Sequence, residues 1–69
     1  MIKKGSKVNW KWGQGTAEGK VEEVYTEEVT KTIHGKKITR KGSDSNKALL
    51  IKQEDGTSVL KLESEVEKG

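Results

Sequence analysis

Val8-Asn9-Trp10-Lys11-Trp12-Gly13-Gln14-Gly15-Thr16-Ala17-Glu18-Gly19-Lys20-Val21 decides the fold, and it holds two of the three aromatics and three of the eight glycines of the chain. Side chains alternate faces along a strand, so Val8, Trp10 and Trp12 fall on one side and Asn9 and Lys11 on the other. Glycines at 13 and 15 mark a tight turn, and a second strand follows from about Thr16 to Tyr25. Ala17, Gly19 and Val21 share one of its faces, whereas Val24 is out of phase with Val21. A bulge at Glu22-Glu23 brings both valines inside and curls the sheet. Gly19, within that strand, suits a bend or the close approach of another backbone, as by a packed Trp10 ring. The pattern is that of a half-buried antiparallel sheet.

Outward from this stretch, Glu28-Val29-Thr30-Lys31-Thr32-Ile33 and Lys36-Lys37-Ile38-Thr39-Arg40-Lys41 form a hairpin rich in β-branched residues and hinged at His34-Gly35. A two-residue turn pairs Ile33 with Lys36. A four-residue loop pairs Ile33 with Ile38, and apolar pairing across the strands favours it. In both registers Lys31 shares a face with Val29 and Ile33, so the hairpin tip is expected to project beyond the barrel with the Lys31 stem along its surface. Gly42-Ser43-Asp44-Ser45-Asn46 reads as a mobile loop. Ala48-Leu49-Leu50-Ile51 reads as a central strand covered on both faces. Glu54-Asp55-Gly56-Thr57 is a turn, with Val59-Leu60-Lys61-Leu62 returning as the partner strand. The tail is expected to make one helical turn capped by Ser64, with Val66 touching the core. The expected fold is all-β: a small SH3-like barrel of five to six antiparallel strands, with a protruding hairpin and a short C-terminal helical turn. Val8, Trp10, Gly19, Val21, Leu50 and Leu60 are its expected core.

Length and composition bound the function. At 69 residues without cysteine, the chain reads as one domain over 1–69 with no disulfide framework and no thiolate metal site. Such a chain suits a reducing, cytoplasmic setting, and no window approaches the roughly 18 apolar residues of a membrane span. The net charge is only +3, but the signs are sorted. Residues 1–12 hold four lysines and no acid, and residues 13–28 hold five glutamates against one lysine. Residues 29–47 hold six bases against one acid. A folded surface with distinct poles is expected.

Lys4-Gly5-Ser6-Lys7-Val8-Asn9-Trp10, Glu28-Val29-Thr30-Lys31-Thr32-Ile33-His34-Gly35-Lys36, and Val59-Leu60-Lys61-Leu62 with Ser64-Glu65-Val66 resemble the hypervirulence-associated TUDOR-domain family over nearly the whole chain. The resemblance implies a Tudor-like, SH3-type barrel. It carries over no catalytic motif and implies no cofactor.

Candidate chemistry narrows quickly. An aromatic cage for a methylated cation needs several ring faces, and with Trp10 in the core only Trp12 and Tyr25 remain. His34 is a lone histidine on a turn, without a second imidazole or thiolate to complete a metal site. The glycines at 13, 15 and 19 miss the dinucleotide spacing and precede a strand. No serine lies in a nucleophile elbow, and neighbouring glutamates on a strand point to opposite faces. A non-catalytic module follows. The expected ligand is a protein or peptide partner, met by a monomer. The alternative is RNA or single-stranded DNA held by the basic hairpin over 29–47. The candidate binding residues for either are Trp12, Tyr25, Lys31, Lys36, Lys37, Arg40 and Lys41. Lysine-rich edges also keep sheets from joining edge to edge, a role that needs no ligand.

Overall fold

A computed structural model describes residues 2–33 and 35–69, with Trp12 described through its backbone alone. The expectation for His34 as a lone histidine on the turn therefore lies outside the described residues. The strands are β1 (Lys7–Trp12), β2 (Gly15–Tyr25), β3 (Glu28–Ile33), β4 (Lys36–Lys41), β5 (Ala48–Gln53), β6 (Ser58–Leu62) and β7 (Glu67–Lys68). A 3-10 turn at Glu63–Glu65 precedes β7. Five strands form one antiparallel sheet in the order β6-β5-β2-β1-β7, and β3 with β4 makes a second, two-stranded sheet. This is the small all-β barrel the sequence anticipates. The two-residue β7 is an addition, pairing Glu67 with Asn9 and Lys68 with Val8.

β2 is the strand that bends the sheet. Its first half pairs with β1, its second half with β5, and the register with β5 slips between Val21 and Glu23. That slip is the bulge expected at Glu22-Glu23, and it sets Val21 opposite Ile51 and Val24 opposite Leu49. At Gly19 an added Cβ would lie 2.6 Å from Ile51 Cγ2 and 2.7 Å from the Lys52 carbonyl oxygen. Only a glycine admits that approach. The expected close approach of another backbone is thus made by β5, whereas Trp10 sits opposite Ala17 and Val8 opposite Gly19.

The core joins Ile2, Val8, Trp10, Val21, Leu49, Ile51 and Val66. Val8, Leu49 and Ile51 are fully enclosed, and Trp10 is 5% exposed. Each such side chain stabilises the fold by about 1.5–3 kcal/mol through removal of apolar surface from water. Leu50 was expected in this core and is only half-buried. It pairs with Glu23 and Leu60, on the opposite face of β5 from Leu49 and Ile51. On that second face Ala48 and Leu60 are buried, and the β3–β4 hairpin packs against β6, mainly through β4.

The hairpin takes the two-residue register, with Ile33 opposite Lys36 and Lys31 opposite Ile38, which corrects the favoured pairing of Ile33 with Ile38. Gly35 has φ 77°, the left-handed geometry whose twist matches that of the flanking strands. The same register brings Thr30 Oγ1 within 2.8 Å of Thr39 Oγ1. Those two features outweigh one apolar pair. Ser64 is also not the cap of the C-terminal turn. Leu62 N–H donates to Glu65 Oε1 at 2.8 Å, and Ser64 N–H donates to Asn46 Oδ1 at 2.9 Å. Val66 reaches the core.

Candidate functional site at the basic hairpin

Alternation divides the hairpin into two faces. Val29, Lys31, Ile33, Ile38 and Arg40 are half-buried, while Glu28, Thr30, Thr32, Lys37, Thr39 and Lys41 are exposed. The inward cations are held by the barrel. Lys31 Nζ lies 5.3 Å from the centroid of the Tyr25 ring, within range of a cation–π attraction. Arg40 Nε lies 3.3 Å from Glu65 Oε1, and that nitrogen is sealed from solvent without a well-aligned hydrogen bond. The same carboxylate oxygen accepts from Leu62 N–H, so Glu65 ties the hairpin to the C-terminal turn.

The seven candidate residues therefore do not form one patch. Tyr25 and Lys31 come together, but with the ring occupied by the protein's own ammonium rather than open to a base. Arg40 turns inward to Glu65. Lys36 and Lys37 stand exposed at the tip, and Lys41 stands at the base opposite Glu28. Among the described residues none of these three lysines has an ion-pair partner. The Trp12 side chain lies outside the described part. Of the aromatic candidates, Trp10 is buried, so a cage of several open rings does not assemble from Trp10 and Tyr25.

Sequence reading missed a row of lysines. Lys7 faces Lys20 and Lys20 faces Lys52, across three strands and all exposed. The turn at Gly13-Gln14 was the signal, since it fixes Lys7 opposite Lys20 by counting back from Trp12 and Gly15. The row borders a hollow of about 410 Å³ that Glu18, Glu22 and Glu54 also line. Three acids beside three bases leave no net preference for an anion there. The hairpin is the more polarised surface, with five bases against one acid over residues 28–41.

No helix among the described residues is long and apolar enough to cross a membrane. No curated protein and no solved structure matches the chain. A family model described as "Hypervirulence associated proteins TUDOR domain" matches residues 5–66 of the 69, and the chain belongs to that family of TUDOR domains.

Proposed function

We propose that this domain is a non-catalytic binding module that docks a protein partner on its basic hairpin, with the partner supplying carboxylates. Membership in a TUDOR-domain family supports a small binding module. One observation carries the choice of surface. The inward cations Lys31 and Arg40 are engaged by Tyr25 and Glu65, whereas Lys36 and Lys37 end the arm exposed and unpaired among the described residues. The anchored base and the open tip make an arm that can hold a partner without rearranging.

Nucleic acid fits the same arm less well. A phosphate chain needs a continuous track of cations with ring faces for unpaired bases. Here Lys36 and Lys37 point to opposite faces, Tyr25 is occupied, and the acidic corner Glu27-Glu28 sits at the base.

Fluorescence anisotropy with a labelled glutamate-rich peptide and a labelled oligothymidylate discriminates the two, on the native chain and on Lys36→Glu/Lys37→Glu. Reversing two exposed charges converts two attractions of about 0.5–1 kcal/mol into repulsions, which amounts to about 2–4 kcal/mol or roughly 30-fold or more in Kd. The expected result is peptide binding that falls by about that factor in the double variant. Tighter binding of the oligonucleotide, falling steeply with salt, would replace this reading with the nucleic-acid one. Peptide affinity unchanged by the double variant would remove the hairpin from the interface.

A further inference from the structure

The hairpin ladder has a parity that decides which backbone groups it leaves unused. Gly42 N–H donates to the Glu27 carbonyl at 3.2 Å, and this pair continues the register in which Val29 faces Arg40 and Lys31 faces Ile38. In an antiparallel pair, hydrogen-bonded and non-hydrogen-bonded positions alternate. Val29, Lys31 and Ile33 therefore direct their N–H and C=O groups to β4. Those of Glu28, Thr30 and Thr32 point away from it. The 2.8 Å contact between the Thr30 and Thr39 hydroxyls agrees, because side chains approach most closely across non-hydrogen-bonded positions.

Among the described residues β3 has no ladder partner except β4, and Glu28, Thr30 and Thr32 are exposed. Among the described residues, nothing bonds to their outward backbone groups. The edges of the larger sheet are less open: β6 packs against the hairpin, and β7 is only two residues long. A six-residue strand with a bare edge is a template for another chain.

We infer that β3 receives an extended acidic peptide segment as a third strand, bonded through the main chain of Glu28, Thr30 and Thr32, with carboxylates at its tip end reaching over Ile33 and Thr32 toward Lys36 and Lys37 on β4. This rests on the protein-docking reading above and specifies its geometry. Main-chain bonds supply affinity in such additions, and alternate side chains supply selectivity. On the inward side the added strand runs beside Val29 and Ile33, both half-buried, which suits apolar residues. On the outward side it runs beside Thr30 and Thr32, where β-branched or hydroxyl residues pair well. A second copy of this chain could satisfy the same edge by pairing β3 with β3. That arrangement brings together two hairpins that each carry five bases against one acid over residues 28–41, and like charge opposes it.

The test uses the full chain and two synthetic peptides of alternating valine and threonine, one with two glutamates at its N-terminus for antiparallel addition and one with them at its C-terminus for parallel addition, followed by NMR titration and amide hydrogen exchange. Saturation is expected to slow exchange at Glu28, Thr30 and Thr32 by at least about tenfold, the signature of newly formed ladder bonds. Thr30→Pro removes an outward N–H without touching the β4 ladder, a substitution edge strands tolerate. It is expected to weaken binding about tenfold or more, while Thr30→Val stays within about twofold. A peptide N-methylated at alternate residues is expected not to bind, which tests the same bonds without altering the protein.

Peptide binding that survives both Thr30→Pro and N-methylation, without protection of the three amides, overturns strand addition yet leaves docking on the arm intact. Insensitivity to Lys36→Glu/Lys37→Glu as well defeats both readings. Concentration-dependent dimerisation that protects the three amides without peptide assigns the edge to a second copy and overturns the acidic segment.

Discussion

Gly19→Ala tests the bend that closes the barrel. The new methyl group would lie 2.6 Å from Ile51 Cγ2, 2.7 Å from the Lys52 oxygen and 3.2 Å from the Lys52 carbonyl carbon. A rotamer change could move the first of these, but the other two are main chain of the paired strand. Relief therefore requires β2 and β5 to separate where Gly19 faces Gln53 and Lys20 faces Lys52. Overpacking of this kind costs about 1–3 kcal/mol, and a weakened ladder bond adds about 1 kcal/mol. Removing a glycine from the unfolded ensemble returns about 0.4–1 kcal/mol. The net loss is about 1–3.5 kcal/mol, a large share of the roughly 3–10 kcal/mol expected for a domain of this size. Thermal unfolding followed by circular dichroism should show Tm lowered by about 5–25 °C.

Gly15→Ala is the matched control, because nothing lies within 4 Å of its added Cβ. It should remain within about 0.5 kcal/mol of the native chain. A Gly19→Ala protein no less stable than Gly15→Ala would refute the close approach of β5 and the bend built on it.

Three further perturbations probe other joints. Gly42→Ala places a methyl group 2.6 Å from the Tyr25 oxygen, 2.9 Å from Ala48 N and 3.1 Å from the Glu27 oxygen. It should lower stability by about 2–4 kcal/mol in chemical denaturation, and a neutral result would mean the base of the hairpin is not packed as described. Glu65→Ala removes the acceptor for Leu62 N–H and leaves the enclosed Arg40 Nε without its anion. A loss of about 1–3 kcal/mol is expected by the same measurement, with an effect under about 0.5 kcal/mol counting against that tie. Lys20→Glu sets an acid between Lys7 and Lys52. It also stands between Glu18 and Glu22 on its own strand, so the closer cross-strand gain should leave a net stabilisation of at most about 0.5 kcal/mol at low salt and less at high salt, and destabilisation beyond about 0.5 kcal/mol would contradict the lysine row.

The parts of the fold governed by neighbours in sequence were legible before any coordinates. Alternation at Val8 and Trp10, the turn over Gly13-Gln14-Gly15 and the phase change between Val21 and Val24 each have a local cause. Their consequences appear as the buried pair, the β1–β2 hairpin and the bulge, although Gly15 belongs to β2 opposite Trp12 and the turn is only Gly13-Gln14. What composition could not supply was the relation between distant segments. The apolar run 48–51 gives no sign that Leu49 and Ile51 serve the core while Ala48 serves the opposite face. Ser64 has the chemistry of a cap, yet Asn46, 18 positions earlier, supplies the acceptor for its N–H. The hairpin register turned on geometry at Gly35 rather than on the apolar pair that sequence favoured.

The candidate site divides in the same way. A basic hairpin is plain in the sequence, but its lysines and arginine look equivalent there. Alternation sends Lys31 and Arg40 to partners on β2 and the C-terminal turn, and only folding shows which cations stay unengaged. The bare edge of β3 depends on ladder parity, which follows from the register and not from composition.

Native-state amide exchange in the free chain bears most directly on an anchored arm with an unused edge. The Val8 and Trp10 amides, directed into the β1–β2 ladder, should exchange slowest, at rates set by global unfolding. Those of Glu28, Thr30 and Thr32 should exchange within about tenfold of an unprotected peptide, while Val29 and Lys31 between them stay protected. Protection at Thr30 equal to that at Trp10 would contradict the open edge and the docking geometry drawn from it.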